Sequence, residues 1–165
     1  MQRSWLLVKT LPRREGIVAS ILEHRGLDVF LPRTIARSRS QADDRDRPLF
    51  PGYLFARTTD RATTFPLAHP SIGIAYVLGA EGKQSHLPDE LIDAIRSGIA
   101  QHANQSQRSP SGIEIQPVSE SARFSRLVGA TNGFLTARGR VRVLLETVQQ
   151  LVPLDPDAAQ VAIAS

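Results

Sequence analysis

The sequence predicts an α+β fold: an α/β sandwich on an antiparallel or mixed sheet, joined by a linker to a small five-stranded β-barrel. Three observations point there. Over the first hundred residues, short apolar runs of strand length alternate with amphipathic stretches, as packed layers of sheet and helix require. Gln101–Gly112 (QHANQSQRSPSG) is polar and uncharged save Arg108, the composition of a linker. Beyond it, short apolar runs are separated by Gly, Asn-Gly, Arg-Gly and Asp-Pro-Asp, the punctuation of a small barrel. The expected divisions are residues 1–104, 105–112 and 113–165.

The elements follow in order. Trp5–Thr10 (WLLVKT) is an apolar run fit for a buried first strand. Leu11-Pro12 opens a helix, since Pro suits the first turn, and Glu15 favours its N-terminal dipole. Ile17, Val18, Ile21 and Leu22 form its expected apolar stripe, and Gly26 is its stop. Leu27–Arg37 reads as a strand interrupted by Pro32, and Ser38–Arg47 as a polar hairpin tip.

Leu49–Arg57 (LFPGYLFAR) is then the next strand, antiparallel to the previous one. It holds Phe50, Tyr53 and Phe55, three of only nine aromatic residues in the chain. A bulge at Pro51-Gly52 would gather the three rings on one face, whereas strict alternation would send Phe50 to the other. A bulged strand is expected. On pattern alone, its rings read as ordinary core.

Asp60 can cap a short helix that Pro66 ends. Ile72–Leu78 reads as a strand with Gly82–His86 as its partner. Leu87-Pro88-Asp89-Glu90 starts a helix whose buried stripe is Leu91, Ile92, Ile95 and Ile99.

In the tail, the expected strands are Ile113–Val118, Arg126–Val128, Phe134–Ala137, Arg140–Glu146 and Leu151–Leu154. One of them is ambiguous. Val141, Val143 and Leu145 alternate with Arg140 and Arg142 as in a half-buried strand. Yet Val141, Leu144, Leu145, Val148, Leu151 and Val152 also follow helical spacing, with no Gly or Pro between Arg140 and Val152. Gly129, Asn132 and Gly133 in the preceding arm would cost a helix roughly 1 kcal/mol per glycine, which favours the strand reading.

The 165 residues are 41% hydrophobic, enough for one ordinary domain plus a small module. No apolar run approaches a membrane span and no signal pattern opens the chain, so a cytoplasmic monomer without membrane contact is expected. The lack of cysteine excludes disulfides, thiol catalysis and Cys-based metal sites. His24, His69, His86 and His102 are scattered, and Gly79-Ala80-Glu81-Gly82 is a turn rather than a phosphate loop. No enzyme activity, catalytic residue, metal or cofactor is expected. The net charge of +4 comes from the first third, where residues 1–61 carry 12 Lys/Arg against 7 Asp/Glu. An arginine-rich surface suits phosphate contact, and the same pattern also fits a merely solvated face.

This order of elements resembles the NusG/RfaH family of transcription elongation and antitermination factors along essentially the whole chain. The resemblance is carried by Trp5 with Leu6–Val8, by Glu15-Gly16, Val18-Ala19 and Leu22-Glu23-His24, and above all by Leu49-Phe50-Pro51-Gly52-Tyr53-Leu54-Phe55. Gly73 to Gly79, Pro88–Ile95 and, in the tail, Arg140–Val143, Leu151–Leu154 and Gln160-Val161 extend it.

The resemblance implies an N-terminal NGN-type domain and a C-terminal KOW-type barrel. It implies that the first docks on the clamp-helix coiled coil of RNA polymerase and suppresses pausing or termination. The second would recruit a ribosomal protein or a termination factor. Carried over by position, Phe50, Tyr53 and Phe55 would be the polymerase anchors, with Leu6 and Val8 beside them. Thr64 and Phe65 would stand at the opposite side of the cleft. Lys9, Arg13, Arg14 and Arg25 would fall near the face that meets non-template DNA, where arginine contacts phosphate or stacks on a base.

In one specialised branch of the family the tail converts between helical hairpin and barrel. That branch carries a carboxylate where this chain has Arg47 before Pro48. Gln149-Gln150 at an expected turn and the degenerate Ser119–Ser125 depart from the usual tail and suggest an operon-specific paralogue. The rival reading is an RNA- or ribosome-binding protein without polymerase contact, since small barrels with arginine-rich surfaces also bind RNA.

Overall fold

Strand β1 (Leu6–Thr10) lies inside a four-stranded sheet of order β2-β3-β1-β4, with β2 Leu27–Phe30, β3 Tyr53–Thr58 and β4 Ile74–Val77. All three pairings are antiparallel. The computed structural model describes residues 5–34, 47–58, 70–80, 83–84, 86–106, 124–131 and 135–151. The expected helix after Asp60, the polar tip at 38–46 and the strand at 113–118 lie outside the described residues. The chain divides into two compact units, one of residues 1–31, 51–89 and 148–165, the other of 32–50 and 90–147.

In the first unit, helix α1 (Glu15–His24) packs on one face of the sheet. Leu6, Val8, Leu54, Ala56 and Ile74 from the strands meet Val18, Ala19 and Leu22 of the helix, with Leu27 between them. Glu15, Val18, Ala19 and Leu22 are the buried positions, a stripe at i, i+3, i+4 and i+7. The expected stripe is thereby rotated, and Ile17 is left 48% exposed. Gly26 stops the helix as expected: its φ is +81°, and its N–H donates to the Glu23 carbonyl at 2.9 Å.

Strand β2 ends at Phe30 rather than Arg37, although Arg33 still bridges Pro48 in antiparallel fashion. Pro51-Gly52 forms a turn with Gly52 at φ +81°, and β3 starts only at Tyr53. The expected bulge is absent there, since the β1–β3 and β2–β3 registers run without a shift. An irregularity falls instead between Lys9 and Thr10, in the pairing of β1 with β4. A short antiparallel pair, β5 (Gly79–Ala80) and β6 (Lys83–Gln84), follows β4.

Helix α2 (Asp89–Ser106) buries Leu91, Ile92 and Ile95 as expected, with Ala94 and His102, whereas Ile99, expected in the same stripe, is only half-buried. It runs into the expected linker, the rest of which lies outside the described residues.

The tail departs from the expected barrel. Ser125–Thr131 is helix α3 and Ala137–Leu151 is helix α4, so Arg126–Val128 and Arg140–Glu146 are helical. Helical spacing prevails because Leu144, Leu145 and Val148 share one buried stripe. Thr136 also caps α4: its Oγ1 accepts from the Gly139 N–H at 3.2 Å, and Gly139 falls in the first turn.

Within the second unit, α2 and α3 approach closely at Gly98, where an added Cβ would stand 2.4 Å from Thr131 Oγ1. Glu146 of α4 pairs with Arg126 of α3 at 3.3 Å and with Arg142 at 2.9 Å. These exposed pairs contribute little to stability, on the order of 0–1 kcal/mol each. Arg140 reaches farther, donating from Nε to the Leu49 carbonyl at 2.8 Å and from Nη1 to the Leu135 carbonyl at 2.7 Å.

Candidate docking face

Side chains alternate along a strand, so the residues of β1 that do not meet α1 share the opposite face of the sheet. The register assembles that face in three rows. At one end, Asp28 of β2 stands opposite Arg57 of β3, with Trp5 beside them. Phe30, Phe55 and Leu7 form the middle row, since Phe55 is the partner of both Phe30 and Leu7. The third row is Tyr53, Lys9 and Tyr76, with Lys9 the partner of both tyrosines.

The first row is tied to the start of α2. The Arg57 guanidinium lies 4.7 Å from the Trp5 ring centroid and pairs with Asp28 at 2.8 Å and Asp89 at 3.1 Å. Trp5 Nε1 donates to Asp89 Oδ1 at 2.7 Å. The middle row is apolar, with the Phe30 and Phe55 centroids 5.9 Å apart. Phe55 and Leu7 are buried.

In the third row the Lys9 ammonium sits 4.3 Å over the Tyr53 ring, a cation–π contact that strengthens when desolvated. Gly52 makes room for it: a Cβ there would stand 3.0 Å from Lys9 Nζ. The Gly52 N–H donates to Glu15 Oε1 at 2.7 Å, and its carbonyl accepts from the Thr10 N–H at 2.9 Å. Burial lowers the Lys9 pKa below its ordinary value, with the Glu15 carboxylate opposing that shift. Burial raises the Tyr53 phenol well above its ordinary value, helped by the neighbouring Tyr76, and burial raises Tyr76 as well. The two phenols influence each other's ionisation, yet neither hydroxyl reaches a partner in hydrogen-bonding geometry among the described residues.

Tyr53 and Phe55 therefore share this face as expected. Leu6 and Val8 do not stand beside them; they lie in the core against α1, and Leu7 and Lys9 occupy that place. Phe50 is fully buried ahead of the Pro51-Gly52 turn. Thr64 and Phe65 lie outside the described residues. Of the four cations expected near DNA, Lys9 belongs to the tyrosine row. Arg13, at φ +61°, and Arg14 are exposed ahead of α1. Arg25 is exposed beyond the other end of that ten-residue helix, roughly 15 Å away along its axis. They form no single cluster.

Sequence reading missed Leu7, Phe30, Tyr76 and the Trp5–Arg57–Asp89 link. The four consecutive apolar residues Trp5–Val8 did signal a strand buried on both faces. Such a run does not say which parity meets the helix. Among the described residues no group of side chains could hold a metal, and no helix is long and apolar enough to cross a membrane.

No curated protein matches this chain. A family model does, under the description "Transcription termination factor nusG", over residues 3–96. That span is more than half of the chain and runs from β1 into α2, through all three rows of the face. The chain belongs to the NusG family of transcription factors.

Proposed function

We propose that this chain is a transcription elongation and antitermination factor that binds the clamp coiled coil of RNA polymerase through the sheet face carrying Tyr53 and Phe55. The observation that carries this reading is the apolar row of Phe30, Phe55 and Leu7, built on paired strands. Rigidly held aromatic residues are the anchors that dominate protein interfaces. Exposure of Arg13 and Arg14 ahead of α1 supports them as the contacts to non-template DNA in this reading.

The helical tail favours the operon-specific form of this function. Arg140 of α4 donates to the carbonyl of Leu49, the first residue of the aromatic stretch, within the second unit. Recruitment of a ribosomal protein or termination factor through a barrel would then require α3 and α4 to refold.

The test is a pull-down of RNA polymerase by the full chain. Wild type should retain polymerase, and Tyr53→Ala/Phe55→Ala should lose it. Failure of wild type to retain polymerase overturns the proposal. Uniform occupancy of all transcribed genes in a genome-wide association profile would remove the operon-specific part alone.

A further inference from the structure

We infer that the Tyr53–Lys9–Tyr76 row is a receptor for an acidic side chain of the docking partner, carried on a helix about one turn from that helix's apolar contacts. The inference rests on the polymerase-docking reading and names the chemistry that the partner must bring. An ammonium and two phenol hydroxyls are aligned across three adjacent strands, an array rich in donors. The nearby carboxylate, Glu15, already accepts through Oε1 from the Gly52 N–H. Both phenol hydroxyls are buried and lack an acceptor among the described residues. Buried donors without acceptors favour a partner that brings acceptor oxygens and negative charge.

Geometry specifies how the acid is presented. The tyrosine row and the Phe55–Leu7 row are two residues apart along β1 and β3, about 6.8 Å. Residues i and i+4 of an α-helix are separated by about 6 Å along its axis. A helix lying along the strands with an apolar residue on Phe55 and Leu7 therefore brings a Glu or Asp four positions away over Lys9. A nucleic-acid strand fits less well, because the apolar middle row has nothing to offer a run of phosphates. The exposed arginines belong to the ends of α1, which covers the other face. Tyr53 is only 1% exposed in this state, so the partner takes the place of the chain's own packing.

The experiment measures the affinity of the full chain for core RNA polymerase across a salt series. It compares wild type with Lys9→Met, Lys9→Arg and Tyr76→Phe, each checked for an unchanged circular dichroism spectrum. Lys9→Met should weaken binding roughly tenfold or more and flatten its salt dependence, with Lys9→Arg within about threefold of wild type. Tyr76→Phe should weaken binding less. One Glu→Gln or Asp→Asn change in the polymerase coiled coil should cost as much as Lys9→Met and nothing further in combination with it.

Tight and equal binding by wild type and Lys9→Met overturns the inference and leaves the docking reading standing. Weakening by Lys9→Met without coupling to any acid of the coiled coil also overturns it, because the effect is then on the fold. Failure of wild type to bind polymerase overturns the docking reading, and the inference with it.

Discussion

Replacing Gly98 by alanine separates two effects of opposite sign. Inside a helix such as α2, Gly→Ala stabilises by about 0.8–1 kcal/mol through backbone entropy. At this position the new Cβ would lie 2.4 Å from Thr131 Oγ1, 3.1 Å from Cγ2 and 3.3 Å from Cβ. Thr131 yields poorly, being buried and β-branched, with its hydroxyl donating to the Val128 carbonyl at 2.6 Å. Overpacking of this kind costs about 1–3 kcal/mol. Gly98→Ala should therefore destabilise by about 1 kcal/mol net. In a Thr131→Ala background Oγ1 and Cγ2 are gone and only Cβ, at 3.3 Å, stays close, so the same change should stabilise by up to about 1 kcal/mol. The cycle thus carries a coupling of up to about 2 kcal/mol. Urea unfolding followed by far-UV circular dichroism measures all four variants, and hydrogen exchange in α3 locates the effect. If Gly98→Ala stabilises equally in both backgrounds, α3 does not pack on α2 in solution and the helical tail is the wrong state.

Two further outcomes concern the third row of the sheet. Gly52→Ala places a Cβ on a residue at φ +81°, which costs about 1–2 kcal/mol, and pushes Lys9 Nζ from its seat; a thermal melt should fall by several degrees, and Gly52→Asn should fall less. Tyr53 is raised above its usual pKa of 10.0, so its contribution is fully present below pH 10 and is lost as the unfolded chain's phenol ionises above that pH. Wild type should therefore lose stability on going from pH 9 to about pH 12 more steeply than Tyr53→Phe; equal slopes in alkaline urea titrations would refute the burial argument.

The N-terminal architecture was legible because its signals agree across levels. Gly26 supplies the left-handed stop, the 27–30 and 53–58 runs pair antiparallel, and Leu91, Ile92 and Ile95 face inward on α2. The candidate face was legible only on β3, where Tyr53 and Phe55 share parity. On β1 the run Trp5–Val8 is apolar at every position, and parity is fixed by register, which adjacent residues do not reveal. Assigning Leu6 and Val8 to the face was therefore an error of one residue, the smallest slip that exchanges the two sides of a strand.

The tail failed for a different reason. Of Gly129, Asn132 and Gly133, which weigh against a helix by composition, Gly129 lies inside the short α3, and the other two lie outside the described residues, between α3 and α4 in the chain. The Thr136 cap, readable three residues before Gly139, was the signal that tips Arg140–Val148 toward helix.

The two polar rows of the sheet differ in what they still need. At the Trp5 end, Asp89 Oδ1 accepts from both Trp5 and Arg57, and Arg57 is also paired to Asp28, so this end has its partners already and frames the first turn of α2. At the Lys9 end, two buried hydroxyls have no acceptor among the described residues, and the ammonium is held over a ring under a glycine. A new polar partner gains little at the first end, where it must displace made bonds, and most at the second, where it completes unmade ones. The apolar row between them is indifferent to sequence beyond size and shape. On the docking reading proposed above, affinity for a helical partner follows from Phe30, Phe55 and Leu7, and discrimination among partners from Lys9 with its two tyrosines. Enlarging the apolar row would then tighten binding to related helices alike, whereas changes at Lys9 would alter which helix is chosen.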